Sequence, residues 1–355
     1  MNKKIDVSRD REFVSFGDCV IRSRVSLFRS MSDFSFPLKM STADSQRFMT
    51  RVKERLSRLS ESQQSLFRAE KINGADFDYY RDRGILSEEY SRLALTAFFY
   101  LYNNATALLL LGREQIELRS VVPEFELFHA AETVIECDRL LETVFPYAVS
   151  LCHGYLNSRL DLTGAGIEAE VLLSLPALNQ TDEGDRLLKI ALSENLKIEP
   201  YRCPALKENI PGVLTVTAVA LDSESEEEML SRFAKNLSTI IKMERLKRRE
   251  WKPEQIDQIS ARYREALERI HSSVKMTLLE SYQLLDIIRT AILAGVADFS
   301  CSTLNRLFDF LKESSLTRFR RQFSKSDEPV LCDHLRAGVL KDIFCGKAEV
   351  LCLKD

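Results

Sequence analysis

The sequence predicts an α+β fold: an antiparallel sheet flanked by helices, followed by a helical C-terminal domain. Two observations carry this prediction. Runs typical of strands alternate with helical periodicities up to residue 222, and beyond that point only helical patterns follow. The stretch Trp251-Lys252-Pro253 then interrupts the helical part. We therefore expect a domain of residues 1–250 and a helical domain of residues 251–355.

The predicted sheet rests on short runs that are rich in aromatic, β-branched and other apolar residues. The first three runs follow one another with turn-forming residues between them, which is typical of an antiparallel meander. They span 95–101, 106–111 and 115–121. Three later runs also predict strands, and they span 169–175, 197–202 and 212–221.

The predicted helices carry apolar residues at helical spacing. In the first domain they span 42–59, 123–143 and 179–196. A further helix begins after the serine- and glutamate-rich stretch 222–228 and ends in the basic stretch 242–249, charges that suit the two ends of a helix dipole. In the C-terminal domain the predicted helices span 254–271, 274–293, 303–313 and 331–344.

Composition excludes several classes of function. Hydrophobic residues make up 45% and charged residues 29% of the 355 residues, as in ordinary soluble globular proteins. The net charge of -3 gives no bulk attraction to nucleic acid or to an anionic membrane. The apolar run 105–111 is far shorter than a membrane span requires, and no apolar segment follows the amino-terminal lysines as in a secretory signal. We expect neither nucleic acid nor membrane as a partner.

The eight cysteines are widely spaced and form no CxxC pair. This spacing predicts free thiols in a reducing cytoplasm, and no structural zinc site. Cys332 and His334 are close enough in sequence to supply two metal ligands, but two side chains without a metal role are the simpler interpretation. We therefore expect a cytoplasmic protein without a bound metal.

The most informative segment is 154–171, which reads G-Y-L-N-S-R-L-D-L-T-G-A-G-I-E-A-E-V. It resembles the segment G-Y-L-T-x-C-P-T/S-N-x-G-T-G-L-R-A-x-V of the ATP:guanidino phosphotransferases, whose bacterial branch includes the protein arginine kinases. The shared positions are Gly154, Tyr155, Leu156, Gly164, Gly166, Ala169 and Val171. The reactive positions differ: Arg159 stands where the family has its cysteine, and Glu168 where it has a phosphate-binding arginine.

The segment 18–29 resembles V-L-S-S-R-I/V-R-L-A-R, the first phosphate-clamp segment of that family. Arg24 matches the first clamp arginine, although a lone arginine can equally make an ordinary ion pair. Ser26 replaces the second clamp arginine. The next segment, N-E-E-D-H-x-R in the family, falls on 111–117.

In the segment 111–117, Gly112 and Arg113 replace the glutamate pair that binds the acceptor, and Glu117 replaces a clamp arginine. The last segment, R-G-x-x-G-E, falls on 201–208, where Arg202 matches the arginine after a one-residue shift. The resemblance thus leaves Arg24 and Arg202 as candidates for binding nucleotide phosphate, and no catalytic residue at a matched position. The lost clamp positions are Ser26, Glu117 and Glu168.

These replacements favour a pseudokinase: a fold similar to the catalytic domain of guanidino kinases, retained as a protein-binding or regulatory component. The resemblance implies protein partners, namely another copy of the chain, a zinc-binding adaptor or a Clp-type chaperone in a protein quality-control system based on arginine phosphorylation. We expect no cofactor for a pseudokinase.

Two alternatives remain open. A working phosphotransferase with a remodelled site would bind Mg-ATP and use Arg24, Arg202, Lys207 or Arg159 for phosphate, with Glu208 or Glu168 for the acceptor. A phosphoarginine-binding module in the C-terminal domain would use Arg336, the residue that persists from the family's recognition segment R-P-x-E-R-D-I-R-R-A.

Overall fold

An eight-stranded antiparallel sheet forms the centre of the chain. The computed structural model describes residues 6, 8–9, 16–71, 74–87, 98–103, 106–180, 194–323 and 331–345. The strands of this sheet are β1 (Val20–Arg29), β2 (Phe67–Lys71), β3 (Phe98–Tyr102), β4 (Thr106–Leu110), β5 (Ile116–Pro123), β8 (Ile167–Ser174), β9 (Lys197–Cys203) and β10 (Glu208–Val219). They run in the order β2-β3-β4-β5-β1-β8-β10-β9, so β2 and β9 are the edges. A separate hairpin joins β6 (Val149–Ser150) to β7 (Gly154–Tyr155).

Helices surround the sheet and make up the C-terminal part. In chain order they are α1 (Thr42–Leu56), α2 (Glu61–Gln64), α3 (Gly74–Asp82), α4 (Leu127–Glu142), α5 (Glu226–Arg249), α6 (Pro253–Ser272), α7 (Leu278–Leu293), α8 (Cys301–Phe310), α9 (Glu313–Phe323) and α10 (Cys332–Phe344). In the part of the chain that the structure describes, no helix is long and apolar enough to cross a membrane.

The strands of the sheet place apolar residues on one face and polar residues on the other. Successive side chains of a strand point to opposite faces, so Val25 and Leu27 of β1 face one way while Arg24 and Ser26 face the other. Val25 and Leu27 are fully buried in the main core. Helices α1, α4 and α5 cover this face with large apolar side chains, among them Phe48, Phe128 and Phe233.

The opposite face is covered only in part. The C-terminal helices pack on one end, where Ile21, Leu172 and Val213 of the sheet share a second core with Tyr282 and Leu307. A third, smaller cluster covers Ala107 and Leu109 of β4. Between these two covers the face carries a strip of charged side chains that is open to solvent, and the candidate site lies there.

The structure confirms the predicted fold class and most of the predicted elements. The helix with a glutamate-rich start and a basic end is α5, whose N-cap Ser225 forms a capping box with Glu228. The break before α6 is also confirmed, because α5 ends at Arg249 and α6 begins at Pro253. The predicted helix 179–196 lies mostly outside the described residues.

Some predicted bounds were wrong. The segment 274–277 is not helical, because Thr277 caps α7 and directs the chain into a helix that begins at Leu278. The helix predicted over 303–313 ends at Phe310, and α9 follows as a separate element that the sequence did not predict. The boundary at residue 250 stays a prediction, because residues of the sheet and of the C-terminal helices share one core.

Candidate functional site

An open cleft of about 520 Å³ lies on the polar face of the sheet. Its wall is unusually rich in charge. The basic residues that line it are Arg24, Arg113, Arg159 and Lys197, and the acidic ones are Asp161, Glu168, Glu170 and Glu199. Four positive and four negative side chains therefore cancel, and the cleft carries no formal net charge at neutral pH.

Strand register brings the central charges together. In the antiparallel pair of β1 and β8, Arg24 lies opposite Glu170 and Ser26 lies opposite Glu168. On the other side of β1, Ser26 lies opposite Arg119. Residues that face each other across antiparallel strands share one face of the sheet, so these charges must lie side by side on the floor of the cleft.

Glu168 is the hub of this floor. Its two carboxylate oxygens accept hydrogen bonds from the two terminal nitrogens of Arg113 at 2.8 and 3.0 Å, a bidentate pair. Oε1 also lies 3.4 Å from Nη2 of Arg24, and the same nitrogen donates to Glu170 at 2.6 Å. The Glu168 side chain is only 7% exposed, so water screens these contacts little.

A second ion pair lies deeper, beside the first. Glu117 is fully buried and accepts a hydrogen bond from Nε of Arg119 at 2.9 Å, with Arg113 at 3.6 Å. Nη1 of Arg119 donates to the backbone oxygens of Gly84 and Ile85, at 3.2 and 3.0 Å. The buried guanidinium of Arg119 is thus held by the protein itself.

The pKa values of these carboxyls follow from the pairing. Burial alone would raise the pKa of Glu117, but Arg119 and Arg113 outweigh it and lower the pKa to about 2. Burial also opposes ionisation of Glu168, and Arg113 and Arg24 again hold its pKa below the ordinary value. Burial lowers the pKa of Arg24 despite its carboxylate neighbours. The floor is therefore a set of ionised groups that depend on one another.

The rim of the cleft carries two more pairs. Arg159 forms an ion pair with Asp161, and Nζ of Lys197 lies 2.7 Å from Oε2 of Glu199. Both pairs are about half exposed or more, so they contribute little to stability. Each basic side chain that lines the cleft thus has an acidic partner that also lines it.

Glu114, a residue that the sequence analysis did not single out, holds the loop that carries Arg159. It is fully buried, and its carboxylate accepts hydrogen bonds from the backbone nitrogens of Ser158 and Arg159 at 2.9 and 3.0 Å and from the Ser158 hydroxyl at 2.7 Å. Three hydrogen bonds to one carboxylate fix the backbone at Arg159. The position of Arg159 on the rim is therefore set by the fold.

Arg202, a predicted phosphate-binding candidate, does not lie in this cleft. Arg202 is exposed near the far end of β9, paired in register with Asn209, and does not line the cleft. Lys197, which does line it, is five residues away along the strand, roughly 17 Å. Lys207, in the turn after β9, and Glu208, the first residue of β10, are exposed and do not line the cleft either.

Gly112 and Arg113 diverge in position although they are adjacent in sequence. Gly112 lies in the turn between β4 and β5, outside the cleft wall, whereas Arg113 reaches into the cleft. The guanidinium of Arg113 also lies over the ring of Phe28, 4.6 Å from its centroid, a favourable contact for a cation. This contact and the bidentate pair with Glu168 hold Arg113 in one orientation.

Arg336 lies far from the cleft, within the C-terminal helices. It is 3% exposed and donates to the backbone oxygens of Leu311 and Met276 at 2.8 and 2.9 Å, and to Asp333. These contacts join the ends of three helical segments. The placement favours a structural role for Arg336 over the binding of phosphoarginine.

Comparisons with known proteins decide the family. The family model for the C-terminal catalytic domain of ATP:guanido phosphotransferases matches residues 47–247, more than half of the chain. The chain belongs to the ATP:guanido phosphotransferase family. The protein-arginine kinase of Clostridium tetani is 24% identical over 323 residues, covering 90% of this chain and 92% of that protein. The protein-arginine kinase of Caldanaerobacter subterraneus subsp. tengcongensis is 21% identical, covering 85% and 90%.

Solved structures agree on the fold. The crystal structure of lombricine kinase superposes with a TM-score of 0.54 at 13% identity, covering 68% of this chain and 71% of that one. An identity this low shows a shared fold and nothing about substrate. The sequence resemblance to guanidino phosphotransferases is thereby confirmed in both sequence and fold.

The family's reaction uses ATP with Mg²⁺, and in the cleft of this family member carboxylates stand beside the arginines that could bind a phosphate. Binding phosphate requires guanidinium groups that are free to donate. Here the Arg24 and Arg113 guanidiniums already donate to Glu168 and Glu170, and a phosphate at the same place would meet those two carboxylates. Among the described residues, no cluster of three or more His, Cys, Asp or Glu side chains is arranged to hold a metal ion.

Two important residues of the floor escaped the sequence analysis: Glu170, the main partner of Arg24, and Arg119, the main partner of Glu117. A signal for both was present. Each lies two residues from a replaced clamp position, Glu168 or Glu117, and residues two apart on a strand share a face. Charged residues at every second position of these strands would have predicted that Glu170 and Arg119 both lie at the site.

Proposed function

We propose that this chain is a catalytically degenerate member of the protein-arginine kinase branch, a pseudokinase that acts as a protein-binding or regulatory component. One observation supports this proposal above the others: each basic side chain that lines the cleft is paired with an acidic side chain that lines it too. A site that is electrically neutral and internally paired has no excess positive charge to offer a nucleotide.

Energetics support the same conclusion. A phosphate that replaced Glu168 as the partner of Arg113 and Arg24 would leave a buried carboxylate without its cations. Leaving one member of a buried ion pair unpaired costs roughly 3–5 kcal/mol. A phosphate that bound beside Glu168 would instead face a like charge, at about 4 kcal/mol for a separation of ~4 Å in an effective dielectric of ~20. Either route opposes the binding of a nucleotide at this site.

The test of this proposal is a calorimetric titration of the purified full chain with Mg-ATP at near-physiological salt. We expect no saturable heat and no thermal stabilisation at millimolar nucleotide. The protein-arginine kinase of Clostridium tetani, measured in parallel, is the positive control. Saturable binding to this chain, together with formation of phosphoarginine on a protein substrate, would establish the remodelled enzyme instead.

A binding role predicts protein partners. By resemblance to its relatives, the candidates are a second copy of the chain, a zinc-binding adaptor and a Clp-type chaperone, all in the cytoplasm. The described cysteines are all free, which is compatible with a reducing compartment. Sedimentation velocity of the chain alone, and then with each purified candidate from the same organism, separates these partners. Sedimentation as an unchanged monomer in every mixture would count against the binding role.

A further inference from the structure

The floor of the cleft contains a pair of guanidinium groups that converge on a single carboxylate. Arg113 contacts both carboxylate oxygens of Glu168 through its two terminal nitrogens, and Nη2 of Arg24 lies 3.4 Å from the Oε1 oxygen. Arg24 and Arg113 come from different parts of the chain, and the fold brings them together on Glu168. Guanidinium groups that converge on one anionic group form the arrangement that binds an oxyanion such as phosphate.

We propose that Arg24 and Arg113 form a latent oxyanion-binding site, which the chain's own Glu168 occupies as a tethered anion. The proposal rests on the proposed function, in which the unmodified cleft does not hold nucleotide. The new element is that a single side chain, Glu168, occupies the place that an oxyanion would take. Arg24 and Arg113 keep a geometry that can bind an oxyanion.

Tethering favours Glu168 over a free anion as the partner of the two arginines. A group that is covalently attached next to its binding site competes at an effective concentration at least on the order of millimolar, without the loss of translational freedom that a free ligand suffers. Glu168 lies on β8 and is fixed in register opposite Ser26 of β1. Its carboxylate is therefore delivered to the two guanidiniums by the sheet itself.

The supports of the two arginines do not depend on Glu168 alone. Arg24 keeps its pair with Glu170 at 2.6 Å, and Arg113 keeps the ring of Phe28 and the carboxylate of Glu117 at 3.6 Å. Without the Glu168 charge, the floor would hold the three guanidiniums of Arg24, Arg113 and Arg119 against the two carboxylates of Glu117 and Glu170. That excess of one positive charge suits an inorganic oxyanion.

The experiment compares pyrophosphate binding by the full chain, by Glu168→Gln and by Glu199→Gln. The Glu199→Gln variant removes the same charge from an exposed pair of the same cleft. We expect Glu168→Gln to bind pyrophosphate at least about tenfold more tightly than the other two proteins. We also expect Arg113→Gln, added to Glu168→Gln, to abolish that gain. Equal binding by all three proteins overturns the proposal.

If Glu168→Gln is unfolded in plain buffer, the same proposal requires pyrophosphate to restore its near-ultraviolet circular dichroism, whereas sodium chloride of equal ionic strength should not. A failure of this rescue also overturns the latent site. The outcome is separate from that of the proposed function, because Mg-ATP binding by the unaltered chain tests the pseudokinase and pyrophosphate binding by Glu168→Gln tests the role of Glu168.

Discussion

Glu117→Gln removes the most deeply buried carboxylate of the cleft floor with almost no change in shape. Glu117 is fully buried, and Arg119 and Arg113 lower its pKa from 4.5 to about 2. A difference of this size between the folded and unfolded pKa corresponds to about 3 kcal/mol of stability, at about 1.4 kcal/mol per pKa unit. We expect Glu117→Gln to lower the free energy of unfolding by about 3 kcal/mol at pH 7.

The stabilising effect of Glu117 should decrease as the pH falls. Because the folded pKa of Glu117 is depressed, its stabilising effect is fully present above the unfolded value of 4.5 and is lost as the pH falls through about 2. The difference in unfolding free energy between the unaltered chain and Glu117→Gln should therefore shrink steadily between pH 5 and pH 2. Other carboxyls titrate in the same range, and those that are not coupled to Glu117 cancel in the difference.

Urea unfolding followed by circular dichroism at several pH values measures the effect. The control is Glu199→Gln, which removes a carboxylate from an exposed pair and should change the unfolding free energy by about 1 kcal/mol or less. A difference between the unaltered chain and Glu117→Gln that stays constant from pH 7 to pH 3 would refute the reasoning, because the ionised carboxylate would then contribute nothing specific.

Three further predictions concern residues outside this pair. Gly166→Ala should lower the free energy of unfolding in urea by about 2–4 kcal/mol, because φ of Gly166 is +63° and a Cβ would lie 2.7 Å from the Phe28 carbonyl oxygen. The control is Gly338→Ala, in the middle of α10, where a Cβ meets no atom within 4 Å; this variant should raise the free energy of unfolding by up to ~1 kcal/mol. Arg336→Ala should lower the melting temperature, because the variant loses hydrogen bonds to two backbone oxygens. Phosphoarginine should shift the melting temperature of neither the unaltered chain nor Arg336→Ala. A shift in the unaltered chain alone would instead support phosphoarginine binding by Arg336. Burial raises the pKa of Asp286 from 3.8 to about 6, so the ionised carboxylate destabilises the fold as the pH rises through 6. Asp286→Asn should therefore raise the free energy of unfolding by about 3 kcal/mol at pH 8 and hardly change it at pH 4.

The sequence was sufficient for the fold class and for most elements because both depend on local patterns. Strand and helix periodicities were enough to predict β4, β5 and α5 to within a few residues. Local patterns failed at α9, where a single turn separates two amphipathic helices. Leu311, at that break, is buried in the C-terminal core.

The residues that the resemblance singled out on β1, β5 and β8 lie near one another on the sheet. Arg24, Ser26, Glu117 and Glu168 all lie on the polar face, as expected of a shared sheet surface. Arg202 lies outside the cleft. Its match depended on a one-residue shift, and on a strand such a shift moves a side chain to the other face. Nothing in the segment 201–208 fixed the register.

The sequence by itself determined the family, the fold and the loss of positive charge at the clamp positions, because these follow from residue identity and spacing. Only the tertiary structure decided which charges pair. Arg113 meets Glu168 across 55 residues and Arg24 meets Glu170 across 146. The alternation of side chains along a strand assigns each residue to a face, but the neighbours on that face depend on how strands distant in sequence align. The replacements alone predicted that the site repels phosphate. The alignment of the strands places each replacing carboxylate beside an arginine, and the charges of the cleft then cancel.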